Sequence, residues 1–120
     1  MIKRKKISEE QARHAIANGE FSIETISSQK QVAIILTQSW CPSWINLTRS
    51  FESLKQNNYE IDIYELEYDK TNYFDDFLKF KENILGNGLI PYIRYYINGR
   101  FVRETNYVSI NQFLSVFNLS

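Results

Sequence analysis

The sequence predicts an α/β domain with a central mixed β-sheet flanked by helices. Three observations predict it. Residues 31–36, "QVAIIL", are continuously apolar and rich in β-branched side chains apart from the opening Gln31, as in a strand covered on both faces. A helical pattern follows, with Trp44, Leu47, Phe51 and Leu54 spaced 3, 4 and 3. Further on, Asn98-Gly99 stands between two strand-like runs, the best short-range signal for a type I′ hairpin. A right-handed crossover makes the strands around Cys41 parallel, and the hairpin adds antiparallel strands. Helices on both sides of such a sheet are the natural packing.

The remaining elements follow in order. "MIKRKK" opens the chain, and residues 1–7 read as a flexible basic tail. "SEEQARHAIAN" reads as a helix with Ser8 as N-cap, Gln11 completing a capping box and Gly19 as its stop. "FSIETIS" alternates Phe21, Ile23 and Thr25 with polar residues, which predicts a short half-buried strand. After the central strand, Pro42 suits the first position of the helix that carries Trp44. Asn57-Asn58 is expected to end that helix. "YEIDIYELEYD" reads as a strand with Tyr59, Ile61, Ile63 and Glu65 on one face and Tyr64, Leu66 and Tyr68 on the other. "NYFDDFLKFKENIL" reads as a helix capped by Asn72, with Asp75 and Asp76 at its positive end and Gly86 closing it. Ser109 caps a last helix with Ile110, Phe113, Leu114 and Phe117 on one face.

Composition narrows the function. The 120 residues suit one domain spanning 1–120, large enough to need no disulfide or metal for stability. Fourteen basic and fourteen acidic residues cancel, so a nucleic-acid partner is not expected. No apolar run reaches the roughly 18 residues of a membrane span, and no apolar stretch follows the basic start as in a secretory signal. One cysteine excludes an intramolecular disulfide and points to a reducing, cytoplasmic setting. One histidine, His14, and one cysteine make no zinc site.

Three stretches carry a resemblance. "SWCPSW" joins the central strand to its helix, "LIPYIRYYINGRFV" contains Ile90-Pro91 ahead of the hairpin, and "LEYDKTN" ends a strand in an Asp before a helix. Their order and spacing resemble the thioredoxin family over roughly residues 20 to 118. The chain is similar to an atypical member with a single active-site cysteine. The resemblance implies the thioredoxin-like fold, a nucleophile at Cys41, and a cis peptide bond at Pro91 in the loop facing it. It places Trp40, Pro42, Ser43, Trp44, Ile90, Pro91 and Tyr92 around a substrate groove. Four departures stand out. Trp44 replaces the resolving cysteine, Ile35 replaces the buried acid, Glu65 replaces the lysine that partners it, and Arg49 replaces a helix-kinking proline.

Thiol chemistry needs the thiolate. Unpaired amides and the macrodipole at a helix start favour an anion there, and the Ser43 hydroxyl is a candidate donor to the sulfur. Glu65, near the place of the missing acid–lysine pair, is the candidate proton acceptor. Two functions compete. The first is a monothiol disulfide oxidoreductase in cell redox homeostasis: Cys41 forms mixed disulfides with a protein or peptide partner, and an external thiol such as glutathione resolves them. The second is a redox-inactive module that holds an extended peptide or protein in the same groove. Neither needs a resident cofactor or a metal. A monomer or weak dimer is expected, and a covalent dimer through Cys41 is a minor third reading.

Overall fold

The central strand organises everything else. In a computed structural model describing residues 2–54 and 58–118, β2 (Gln31–Thr37) lies in the middle of a five-stranded sheet of order β1-β3-β2-β4-β5. Residues 32–37 are all buried, as a strand covered on both faces requires. β3 (Ile61–Glu67) runs parallel to β2, and β4 (Tyr92–Ile97) runs antiparallel to it. β4 turns into β5 (Arg100–Thr105) through Asn98-Gly99, both at positive φ, as a type I′ turn demands.

Two apolar layers sandwich the sheet. On one face α1 (Glu9–Asn18), the turn-length α2 (Ile23–Ile26) and α4 (Phe74–Lys79) supply Ala12, Ala15, Ile26 and Phe77, which pack with Ile34, Tyr64 and Tyr96. On the other, α3 (Pro42–Glu52) and α5 (Ile110–Val116) bring Leu47, Phe51 and Phe113 against Ile35, Ile63 and Tyr95. The Phe51 and Phe113 rings meet edge-on at 5.1 Å, which joins the two helices. Both capping boxes form as expected, Ser8 with Gln11 and Ser109 with Gln112, and Gly19 ends α1 in the left-handed conformation.

Several expectations are corrected. The basic start is not a flexible tail: Lys3–Lys6 form β1, an edge strand parallel to β3. Its charges find carboxylates. Arg4 donates to Glu65 and to Glu52, and Lys5 Nζ lies 2.9 Å from the buried Asp62. "FSIETIS" is a helical turn rather than a strand. Phe21, Thr25 and Ile26 are buried while Ile23 is exposed, so burial follows a four-residue spacing and not an alternation. α3 stops at Glu52 with Ser53 as C-cap; of the Asn57-Asn58 pair expected to end it, Asn57 lies outside the described residues. Tyr73, not Asn72, takes the cap position of α4, and residues 80–84 continue it as a π-helical turn.

One polar cluster stitches the first face. The buried Arg94 donates to Tyr96 Oη at 2.9 Å, Tyr92 Oη at 2.8 Å and Glu20 Oε2 at 2.8 Å, and its guanidinium lies 4.2 Å from the centre of the Phe101 ring. Tyr96 donates in turn to Glu20, and Tyr92 to Glu104. The Arg94→Ala chain is therefore expected to lose about 3 kcal/mol of stability, because removing one member leaves buried partners unpaired. Urea titration checks this, and a loss near zero would show the cluster to be dispensable. Cys41 lies in the opposite layer and should keep its reactivity.

Candidate active site

Cys41 sits where β2 hands over to α3. It is the N-cap residue of α3, in extended conformation, and Pro42 opens the helix, where a missing N–H is harmless. The Cys41 amide donates to the Gln38 carbonyl, and its own carbonyl accepts from Ile45 N–H, closing the first helical turn. The thiol is buried, only 5% exposed. Sγ lies 3.9 Å from the carbonyl oxygen of Ile90, at the long end of a thiol's reach.

The connection before the cysteine is pinned from the side. Ser39 donates to Asp69 twice, from its amide at 2.8 Å and from Oγ at 2.6 Å. Asp69 belongs to a short 3₁₀ turn, Tyr68–Lys70, that follows β3. Trp40 projects outward, 63% exposed, with its indole N–H on the Gln38 side chain at 2.7 Å. The opposite wall is the loop before β4. The Ile90–Pro91 peptide bond is cis, Pro91 is buried, and Ile90 packs against both apolar layers. Leu89 beside it is largely exposed.

The expected residues thus divide. Trp40, Cys41, Pro42, Ser43, Ile90 and Pro91 lie on the two segments that meet at the sulfur. Trp44 is fully enclosed within the α3 layer, and its indole N–H donates to Glu67 Oε2 at 2.8 Å. Its place three residues after Cys41 is filled by packed core. Tyr92 does not border a groove, which corrects its expected position. Alternation along β4 turns it to the other layer, fully buried, with its hydroxyl in the Arg94 cluster. Burial and the bond to Glu104 push its phenol up to about 12. Glu65 is held by Arg4, whose guanidinium reaches both carboxylate oxygens, one at 3.0 Å. Ile35, where a buried acid was missed, is its cross-strand neighbour and is wholly enclosed. His14 is exposed on α1, and Arg49 is exposed on α3.

Three residues near the site escaped the sequence reading. Glu67 could have been found by extending the alternation Ile61, Ile63, Glu65 one step further. Asp69 was noted as a strand end, but its partner Ser39 is thirty positions away. Lys81 falls within the helical stretch "NYFDDFLKFKENIL", and nothing in its neighbours marks it for burial. Beside Trp44, away from the sulfur, a cleft of about 260 Å³ is lined by Thr48, Glu65, Glu67, Arg4, Lys6 and Lys70. Among the described residues no group of three or more His, Cys, Asp or Glu side chains could hold a metal, and no helix is long and apolar enough to cross a membrane.

No protein-family model matches the chain, and no curated protein matches it. Solved structures do. The oxidized thioredoxin O2 of Arabidopsis thaliana superimposes with a TM-score of 0.64 at 13% identity, over 97% of this chain and 90% of that one. Spinach chloroplast thioredoxin f, in its long form, gives 0.64 at 14% identity over 95% and 83%. A putative oxidoreductase with a thioredoxin fold gives 0.61 at 18% identity over 96% and 94%. At such identities the likeness is one of fold. The protein has the thioredoxin fold. Within it, a single thiol stands at the junction of β2 and α3, as the resemblance of "SWCPSW" implied.

Proposed function

We propose that this protein carries out thiol–disulfide exchange through a single thiol. The observation that carries the reading is the position of Cys41, at the start of α3 and against the Ile90 carbonyl. Cys41 is the N-cap of α3, at the end where the helix macrodipole favours negative charge, and its side chain accepts no capping hydrogen bond from the first turn. The thiolate attacks one sulfur of a partner disulfide. A Cys41–partner disulfide forms, and the other sulfur leaves as a thiolate. With Trp44 at the place of a second thiol, the mixed disulfide is released by an external thiol. Glutathione fits this role, and a reducing compartment such as the cytoplasm would supply it. Trp40, Pro42, Ile90 and Pro91 are the residues that would contact the partner.

The alternative is a binding module that uses the same face without redox chemistry. Two observations favour it: the thiol is nearly enclosed, while Trp40, Ile45, Leu89 and Tyr107 leave substantial apolar surface exposed. One experiment separates the two. The wild-type protein, incubated with glutathione disulfide or with a peptide disulfide, should gain one adduct by intact mass and lose it on adding glutathione. The Cys41→Ser chain should gain none. An unmodified wild-type protein after prolonged incubation would sink the exchange reading and leave the binding module. A Cys41→Ser chain that still captures an extended peptide through a Trp40-dependent surface would support that second reading.

A further inference from the structure

Lys81 is the least explicable charge in the fold. Its side chain is wholly enclosed, in the π-helical turn that follows α4. An enclosed ammonium normally meets a carboxylate, because desolvation is otherwise severe. Lys81 instead spends its hydrogen bonds on backbone: Nζ donates to the carbonyl of Asn87 at 2.8 Å and to that of Leu89 at 2.7 Å. The nitrogen also lies 5.6 Å from the centre of the Tyr92 ring, a cation–π distance. Burial lowers its ammonium to about 8, with the neighbouring Glu82 acting against that shift.

The two carbonyls belong to the loop that faces the sulfur. One ammonium holds both of these carbonyls inward. The next carbonyl along the chain, that of Ile90, lies 3.9 Å from Cys41 Sγ. The loop has further ties. Asn87 N–H donates to the Lys81 carbonyl, and Leu89 N–H to Asn87 Oδ1. Asn106 Nδ2 donates to Asn87 Oδ1 and to the Pro91 carbonyl. The lysine is the inner anchor of this network. An apolar residue would leave two inward carbonyls without a donor.

We infer that Lys81 is a positioning residue for the Cys41 site, holding the 87–91 loop so that it covers the sulfur from small reagents and aligns an extended peptide disulfide for attack. The inference rests on the exchange reading for its second half only. The loop cover is a property of the fold whether or not Cys41 exchanges disulfides.

The test uses the full chain at neutral pH, with Lys81→Met and Lys81→Gln; the glutamine keeps donors and folds more readily. Cys41 alkylation by iodoacetamide is compared with mixed-disulfide formation with an extended peptide disulfide, and amide hydrogen exchange is followed over residues 86–92. In Lys81→Met alkylation should accelerate severalfold while peptide exchange falls by about tenfold, since misplacing one wall of a site disrupts alignment, and Lys81→Gln, which keeps donors on a shorter side chain, should shift both rates in the same directions by less. Protection of the 86–92 amides should fall with it. Rates that move together, or that do not move, would overturn the proposal, because a lysine of merely structural value gives no split of opposite sign. If the wild-type protein forms no mixed disulfide, the exchange reading has failed. Faster alkylation and lower loop protection in the variants would then still uphold the anchor, and unchanged values would remove it.

Discussion

The Trp44→Ala chain is expected to lose about 3–5 kcal/mol of stability, among the heaviest penalties that a single core substitution brings. The indole is 2% exposed and lies in the layer formed by Leu47, Phe51, Ile35 and Ile63. It also satisfies Glu67, accepting no bond itself but donating one at 2.8 Å. Alanine removes the largest single apolar surface on α3 and leaves a cavity that rigid strands cannot close. Trp44→Phe separates the two contributions. It retains most of the packing and loses the hydrogen bond, so a smaller loss of about 1–2 kcal/mol is expected. Guanidinium titrations measure both. An alanine variant within about 0.5 kcal/mol of wild type, as at ordinary surface sites, would show that the indole is not packed as described. The result bears on function as well. If the third position after Cys41 is core, a cysteine there would leave a cavity in the layer that Trp44 fills.

Stability should rise as pH goes from about 8 toward 10 and fall above it. The rise comes from Lys81, whose ammonium is lowered from 10.5 to about 8 by burial. Between those values the unfolded chain binds a proton that the native chain does not, so raising the pH favours the native state. The fall comes from buried phenols. Burial raises Tyr92 and Tyr95 from 10.0 to about 12, and raises Tyr96 further still. Above pH 10 unfolded tyrosines release protons that the native ones retain. Their contribution is fully present below 10.0 and is lost as pH climbs toward the folded values. Lys5, raised by its bond to Asp62, adds to the loss at the alkaline end. Denaturant midpoints across the alkaline range test the shape. In Lys81→Met the rise should vanish while the fall stays. A monotonic decline in the wild-type protein would contradict the buried charge at Lys81.

Legibility in the sequence tracked the range of the interaction. Caps at Ser8 and Ser109, the Asn98-Gly99 turn and the periodicity of Trp44, Leu47 and Phe51 depend on residues a few positions apart, and all appear in the structure as read. The alternation of β3 was also read correctly, with Ile61 and Ile63 in one layer and Tyr64 and Leu66 in the other. The errors arose where a distant partner decides. "KRKK" resembles a solvated tail by composition, yet carboxylates on β3 neutralise it and a free strand edge accepts it. "FSIETIS" offers two spacings, and packing of Phe21 and Ile26 under the sheet selects the helical one.

The same division holds at the site. Local sequence by itself determined the placement of one thiol at a strand-to-helix junction, with Pro42 starting the helix and a large apolar residue where a second thiol would stand. These are consequences of chain direction, φ restriction and periodicity, which neighbours settle among themselves. Tertiary structure decided which side chains meet the sulfur. Tyr92 turned away because strand alternation, combined with the buried Arg94, gives its hydroxyl a partner in the opposite layer. Glu65 was taken by Arg4, sixty-one positions earlier in the chain. Lys81 went inward, where two loop carbonyls accept from its ammonium. Arg4 and Glu65 pair across the sheet, beyond any short window of sequence, whereas the partners of Tyr92 and Lys81 are two to eight positions away and only the folded strand and loop turn them together.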